Sequence, residues 1–217
     1  MTPLQKFIKR LFDLIISTLG IVVLFAPFVF IAILIKLTSR GPVFFTQKRV
    51  GQSGDFFLCI KFRTMRIGSE KGSTITTAND SRVTQVGRIL RNFKLDELPQ
   101  LWNVFIGKMS FVGPRPDVPG YADKLQGDSR RILLLRPGIT GPASLCFRNE
   151  EQLLAAVADP KTYNDSVIWP RKVALNLKYL GEWSLVKDIE YILVTILPFL
   201  NNLLRIVPEV KIKTQNG

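Results

Sequence analysis

The sequence predicts an α+β protein, mostly helical, with an apolar helix–break–helix followed by a small β-hairpin and amphipathic helices around one domain. Three observations predict it. Leu14–Ile35 is a run of 22 uncharged residues interrupted by Pro27. Two segments rich in Phe, Val, Ile and Thr then flank a Gly-containing loop, and from Val83 onward apolar residues recur at the helical period. A chain of 217 residues suits one domain with a real core.

Composition narrows the chemistry. There is no histidine, which removes Ser-His-Asp and Cys-His nucleophile pairs, an imidazole base and His-ligated zinc. Cys59 and Cys146 are too few for a Cys-only metal site or a disulfide scaffold, and read as reduced thiols. Catalysis must rest on carboxylates, hydroxyls, Lys, Arg or a hard cation. The net charge of +13 calls for anionic partners.

The first helix begins early, since Thr2-Pro3-Leu4-Gln5 offers an N-cap, a proline at the first helical position and a capping-box Gln. The apolar run that follows is too long for a cleaved signal peptide, and no small-x-small pattern follows it. As one straight helix it would measure about 33 Å, enough for a hydrocarbon core of about 30 Å. Pro27, preceded by Ala26, bends it near its middle. Lys6, Lys9 and Arg10 precede the run and Lys36, Arg40, Lys48 and Arg49 follow it, so the positive-inside rule assigns no orientation. Two arrangements fit: a kinked single span, or a hairpin that enters and leaves on the cytoplasmic face.

Lys36–Arg115 holds 14 Lys or Arg against 5 Asp or Glu, a surface for phosphate or acidic lipid headgroups. Val43–Val50 and Phe56–Met65 read as a β-hairpin across Gly51–Asp55, with Lys61 and Arg63 on one face of the second strand. Gly68–Asp80 reads as a polar surface loop. Val86, Ile89, Leu90 and Phe93 form a helix face, with Arg88 and Arg91 on the other side. In Leu95-Asp96-Glu97-Leu98-Pro99-Gln100-Leu101-Trp102, Pro99 opens a helix continued by Leu101, Trp102 and Phe105.

Asp96 and Glu97 thus stand at or just before a helix N-terminus, where acids serve as caps. They are also a carboxylate pair among Arg and Lys, able to share a hard cation with phosphate oxygens, with phosphate held by backbone donors and arginines. Gly113-Pro114-Arg115-Pro116 and Arg136-Pro137-Gly138-Ile139-Thr140-Gly141 are rigid turns, the first presenting one arginine. Near the C-terminus, Ile189, Ile192, Leu193, Ile196 and Leu197 make an apolar stripe, followed by Pro198 and by Leu200, Leu203 and Leu204, with Lys211 and Lys213 in the tail. Such a helix lies in a membrane surface or packs on the domain.

Taken in order, KRLFDLIIS with the run through Ala26-Pro27, GPVFFTQKRVG, KFRTM, RVTQVGRILRNFKLDELPQLWNVFIGKMSFVGPRP, RPGITG and Trp183-Ser184-Leu185 with Asp188 resemble the bacterial sugar transferase family, the small monotopic phosphoglycosyl transferases. The resemblance runs from about Lys9 to about Ile196, and the DELPQLWNV–MSFVGPRP block is its most specific part.

It implies a re-entrant membrane anchor at residues 1–38, broken at Ala26-Pro27, and a catalytic domain at 39–217 on the cytoplasmic face of the bacterial inner membrane. The implied reaction passes a sugar-1-phosphate from a nucleoside-diphosphate sugar, usually a UDP-sugar, to polyprenyl phosphate, the first membrane step of lipid-linked glycan assembly. Asp96 matches the family's nucleophile, which forms a covalent phosphosugar intermediate. Glu97 matches the acid expected to share Mg2+ with Asp96 or to handle a proton. Lys61, Arg63, Arg91 and Arg115 are the cations expected to neutralise phosphoryl charge, although membrane-surface or cross-strand pairing accounts equally for Lys61 and Arg63.

After Gly141 the chain departs from the commonest family pattern, reading Pro142 to Glu150 and then a polar helical insertion through about Tyr163, which leaves the sugar and any part for Arg148 undetermined. The rival class is a non-catalytic membrane-anchored module for anionic ligands. It explains the charge but gives no reason for an Asp-Glu pair in a basic cleft. No nucleic-acid motif or run of exposed stacking aromatics is found, so nucleic acid is not an expected partner.

Overall fold

A computed structural model describes residues 1–68 and 82–207, with the backbone alone at Glu151 and residues 202–204. The polar stretch after Gly68 and the tail lysines Lys211 and Lys213 lie outside the described residues. The chain is mostly helical, with a two-stranded hairpin as expected and a second, parallel strand pair that was not.

Helix α1 (Pro3–Val23) starts with the capping box foreseen: Gln5 N donates to Thr2 Oγ1 at 3.2 Å and Thr2 N donates to Gln5 Oε1 at 2.7 Å. Lys9, Asp13 and Ser17, one turn apart, form a buried polar stripe on this otherwise apolar helix. Lys9 Nζ donates to Asp188 Oδ2 at 2.6 Å and to the Tyr179 hydroxyl at 3.1 Å, and Trp183 Nε1 also donates to Asp188. Asp13 Oδ1 accepts from Phe111 N at 3.0 Å and Ser110 Oγ at 3.1 Å. Arg10 donates to the carbonyls of Val104 and Phe105. Lys9 and Arg10 are therefore not free flanking charges. They weld α1 into the domain that follows it.

Helix α2 (Phe25–Thr38) bends away from α1 by 59°. The break falls at Leu24, two residues before Ala26 and three before Pro27 of the expected pair. Proline disturbs the turn preceding it: Pro27 has no N–H for the Val23 carbonyl and its ring presses on that carbonyl. Pro27 itself then sits in the first turn of α2, where donors are unpaired anyway. Among the described residues no single helix is long and apolar enough to cross a membrane, whereas this bent pair passes that test of length and composition together.

Strands β1 (Phe44–Val50) and β2 (Phe56–Phe62) pair antiparallel, with Phe45 opposite Lys61, Gln47 opposite Cys59 and Arg49 opposite Phe57. The second strand is shorter than expected, and Met65 instead bridges to Val83. Phe62 packs under Phe28, Ile31 and Ile35 of α2. In helix α3 (Gln85–Asn92), capped by Thr84, Gly87 lies so close to the preceding strand that a Cβ there would sit 2.1 Å from the Thr64 carbonyl oxygen. Leu90 is buried, but Ile89 and Phe93 point outward, so the apolar face read from the sequence is split between core and surface.

Helix α4 (Gln100–Phe105) follows, again with a different inner face from the one expected. Gln100, Leu101, Asn103 and Val104 are buried, while Trp102 is about half exposed and stacks on Phe105. Asn103 accepts from Ile60 N and donates to the Leu58 carbonyl, tying α4 to β2.

Strands β3 (Ser110–Val112) and β4 (Gly138–Thr140) pair in parallel. Their flanking Pro/Gly turns mate backbone to backbone, since a Cβ on Gly138 would lie 2.2 Å from Gly113 N. The remaining helices are α5 (Pro142–Cys146), α6 (Glu150–Ala155), α7 (Pro160–Tyr163), α8 (Trp169–Gly181), α9 (Leu185–Ile196) and α10 (Phe199–Leu204). In α9, Asp188, Tyr191 and Val194 face inward while Ile189, Leu193 and Ile196 are exposed. Packing and an outward apolar stripe thus occupy different faces of one helix. Arg148 is directed at the Val194 and Thr195 carbonyls at the end of α9.

Candidate active site

The site forms where the end of β2, the turn before α4 and the Gly113–Pro116 turn converge. Asp96 and Glu97 belong to one 3-10 turn, Leu95–Glu97, entered through Lys94 in a left-handed conformation at φ 54°. Such a backbone is uncommon outside glycine and persists only where surrounding packing enforces it. Here Leu95 and Leu98 on either side pack with Phe62, Leu90 and α2, which fixes the turn against the hairpin. Neither carboxylate caps α4, whose N-cap residue Pro99 makes no side-chain bond. The capping explanation is not realised, and a six-residue helix is too short to act as an anion site by its terminus. The cations come from side chains.

Lys61 Nζ donates to Glu97 Oε1 at 2.6 Å, and Arg115 Nη2 lies 3.4 Å from the same oxygen. Burial by itself would raise the Glu97 carboxyl, but Lys61 and Arg115 outweigh it and hold the group below its ordinary range. Asp96 as a residue is 9 % exposed. Desolvation pushes its carboxyl above the ordinary range, Lys61 and Arg91 oppose that and Glu97 adds to it. The two acids are thus driven apart, Glu97 firmly ionised and paired, Asp96 the more basic oxygen. Arg91 Nε donates to Thr64 Oγ1 at 2.8 Å while its charge acts on Asp96.

Of the residues expected at the site, Asp96, Glu97, Lys61, Arg91 and Arg115 come together. Arg63 does not. It lies one residue beyond β2, 6 % exposed, and its guanidinium donates to the Ser39 carbonyl and hydroxyl and to the Arg40 carbonyl. Its Nη donors go to the chain just after α2, so it anchors the end of that helix, while its buried Nε has no partner.

The sequence reading missed Arg49, Gln100 and Cys59, which line the same cleft as Lys61, Glu97 and Arg115. The signal was available in the hairpin register. Alternation from Lys61 puts Cys59 on its face, and the cross-strand pairs add Gln47 and Arg49. Arg49 donates to the Pro116 carbonyl at 3.0 Å and to Gln47 Oε1 at 2.6 Å, so it braces the turn that presents Arg115. Burial raises the Cys59 thiol, which keeps it protonated and leaves the carboxylates as the nucleophiles of the cleft.

Two adjacent carboxylates suit Mg2+, which takes one or two such ligands and completes its shell with water and phosphate oxygens. Among the described residues no group of three or more acidic, Cys or His side chains could hold a metal without substrate. Asp96 and Glu97 are the residues of this cleft that could contribute carboxylate ligands to such an ion.

The sequence profile of the bacterial sugar transferases matches residues 4–202. The chain is similar to a UDP-glucose:undecaprenyl-phosphate glucose-1-phosphate transferase of Xanthomonas campestris pv. campestris, 37% identical over 193 residues, which cover 86% of this chain and 37% of that protein. It is similar also to the exopolysaccharide production protein ExoY of Rhizobium meliloti, 34% identical over 214 residues, covering 89% and 86%. A third relative, a UDP-N-acetylgalactosamine-undecaprenyl-phosphate N-acetylgalactosaminephosphotransferase of Aeromonas hydrophila, is 40% identical over 149 residues, covering 66% and 35%. The chain spans well under half the length of the first and third of these and most of ExoY.

Proposed function

The chain belongs to the bacterial sugar transferase family, and from that premise we propose that it transfers a sugar-1-phosphate from a UDP-sugar to undecaprenyl phosphate, with Asp96 as a covalent nucleophile. The observation that carries the reading is the divided carboxylate pair: Asp96 basic and desolvated, Glu97 ionised against Lys61 and Arg115. A binding module has no use for that division. A two-step displacement does.

In the first step an Asp96 oxygen attacks the β-phosphorus, the bond from that phosphorus to the bridging oxygen breaks, and UMP leaves with that oxygen. Lys61, Arg91 and Arg115 neutralise charge on the phosphoryl oxygens and the leaving group. In the second step an oxygen of undecaprenyl phosphate attacks the same phosphorus and the acyl phosphate bond breaks. Asp96 returns as a carboxylate, and the product is undecaprenyl-diphosphate sugar. No water is consumed. Asp96 and Glu97 are the residues that would hold Mg2+, which would supply further charge neutralisation.

The anchor is read as re-entrant because both its ends are tied to one domain: α1 through Lys9–Asp188 and Arg10, and the residues after α2 through Arg63. Exposed Ile89, Phe93, Trp102, Leu193 and Ile196 supply apolar surface that suits a membrane interface, and the positive charge suits anionic lipid on the cytoplasmic leaflet. The test is incubation of the purified protein with a panel of UDP-sugars and undecaprenyl phosphate. Release of UMP with formation of lipid-linked sugar is expected. Release of UDP would mean that the sugar moves without its phosphate and would overturn the proposal.

A further inference from the structure

A second cleft adjoins the first across the Arg115–Pro116 turn. Arg115 lines both. The wall of the second cleft is largely apolar, including Val50, Pro114, Leu133 and Leu135, and its acidic group is Asp117. That residue is held by its backbone: Val50 N donates to the Asp117 carbonyl at 2.9 Å, and Arg49 donates to the adjacent Pro116 carbonyl.

The Asp117 carboxylate has no hydrogen bond or ion pair among the described residues. Lys172, the cation acting on it most, is itself engaged by Glu150 at 2.6 Å. Burial pushes the Asp117 carboxyl up to about 6. Asp117 is only partly buried and lines the cleft, so it is accessible to a ligand held there.

We propose that Asp117 is a substrate-binding residue whose carboxylate accepts hydrogen bonds from ring hydroxyls of the nucleotide sugar, while Arg115 holds the diphosphate between the two clefts. The inference rests on the reading under Proposed function. A nucleotide sugar is a diphosphate with a hydroxylated ring on each side. With its β-phosphorus at Asp96 and its phosphates on Arg115, the second cleft lies where a ring attached to them can reach. A carboxylate repels phosphate but accepts well from a vicinal diol, and apolar walls suit the C–H faces of a sugar ring. Glu150, which pairs with Lys172, the cation acting most on Asp117, lies in the segment after Gly141 in which this chain departs from the common family pattern.

The ring is either the ribose or the transferred sugar, and the test separates them. Steady-state kinetics are measured on the full chain, wild type, Asp117→Asn and Asp117→Ala, with the UDP-sugar that the panel selects. Its 2′-deoxyuridine analogue and its monodeoxy-sugar analogues are run beside it.

Both substitutions should raise the KM for the UDP-sugar about 10- to 100-fold, as expected for a hydrogen bond to a charged group, and leave the KM for undecaprenyl phosphate unchanged. The analogue lacking the contacted hydroxyl should penalise the wild type and not the variants, and so identify the ring. The thermal midpoint should hold or rise at pH 8. Unchanged KM for the UDP-sugar, or equal penalties from every analogue in wild type and variants, overturns the assignment while the wild type still releases UMP. A wild type that releases no UMP from any UDP-sugar sinks the functional reading and this inference with it.

Discussion

At Asp96 and Glu97, two carboxylates one residue apart are shifted in opposite directions, because burial prevails at Asp96 while Lys61 and Arg115 together outweigh it at Glu97. Lys61 sits 2.6 Å from Glu97. Lys61→Met should remove the larger of the two attractions on Glu97, let burial raise its carboxyl, and lower kcat/KM by at least about 10-fold, read by UMP release. Asp117 supplies the pH test. Its folded value of about 6 stands above the ordinary aspartate value of 3.8, so the native state binds the proton more tightly than the unfolded chain. Stability therefore falls as pH rises from 3.8 through about 6, and the loss is complete above that. Asp117→Asn cannot ionise, so its advantage over the wild type should be absent at the acid end and grow across this window in denaturant unfolding. An advantage that shrank with rising pH would contradict the assigned cause. Asp96, Glu97, Lys61, Arg91 and Arg115 were legible in the sequence because turn residues and a specific block marked them. Arg49 could have been reached through the hairpin register, but Asp117 could not, because an acid after a Pro-Arg-Pro turn has no one-dimensional signature.

Among the elements, the hairpin and α4 hold the site through one side chain. Asn103, 1 % exposed, satisfies Ile60 N and the Leu58 carbonyl together. Asn103→Leu fills similar space but leaves a buried donor and acceptor unpaired, which should cost about 2–4 kcal/mol in chemical unfolding and loosen the register of Lys61 against Glu97. The left-handed Lys94 makes the opposite prediction: Lys94→Gly relieves backbone strain and should stabilise by up to about 1 kcal/mol. The hairpin, α3 and the helix opened by Pro99 were legible from period and turn chemistry. The faces of α3 and α4 were misread, since Ile89, Phe93 and Trp102 obey the helical period yet point outward. Periodicity reports an apolar face, and a protein with two apolar environments can offer that face to either. The bend was placed two to three residues late because the proline marks the residue that lacks a donor, not the carbonyl that loses its partner.

For the molecule as a whole, the buried Lys9–Asp188 pair decides how the anchor meets the domain. Lys9→Ala leaves the buried Asp188 without its counter-charge, with only the Trp183 and Tyr179 hydrogen bonds, which should cost about 3–5 kcal/mol and release α1 from α8 and α9. Single cysteines introduced near Thr2 and near Asn201 should react with an impermeant maleimide from the same side of the membrane. Labelling from opposite sides would replace the re-entrant hairpin by a span. The sequence showed the apolar run and its basic flanks but not that Lys9 and Arg10 are consumed inside the domain, because their partners lie 94 to 179 residues away. In the proposed arrangement that tethering would keep Asp96 at one depth relative to a lipid phosphate while the soluble donor approached from water. The most direct measurement is peptide mass spectrometry of acid-quenched protein incubated with its UDP-sugar and no lipid acceptor. The Asp96 peptide should carry one sugar phosphate, lose it when undecaprenyl phosphate is added, and remain bare in Asp96→Asn, whose turnover should fall by at least about 1,000-fold. An Asp96 peptide that stays unmodified in protein shown to be turning over would contradict the account.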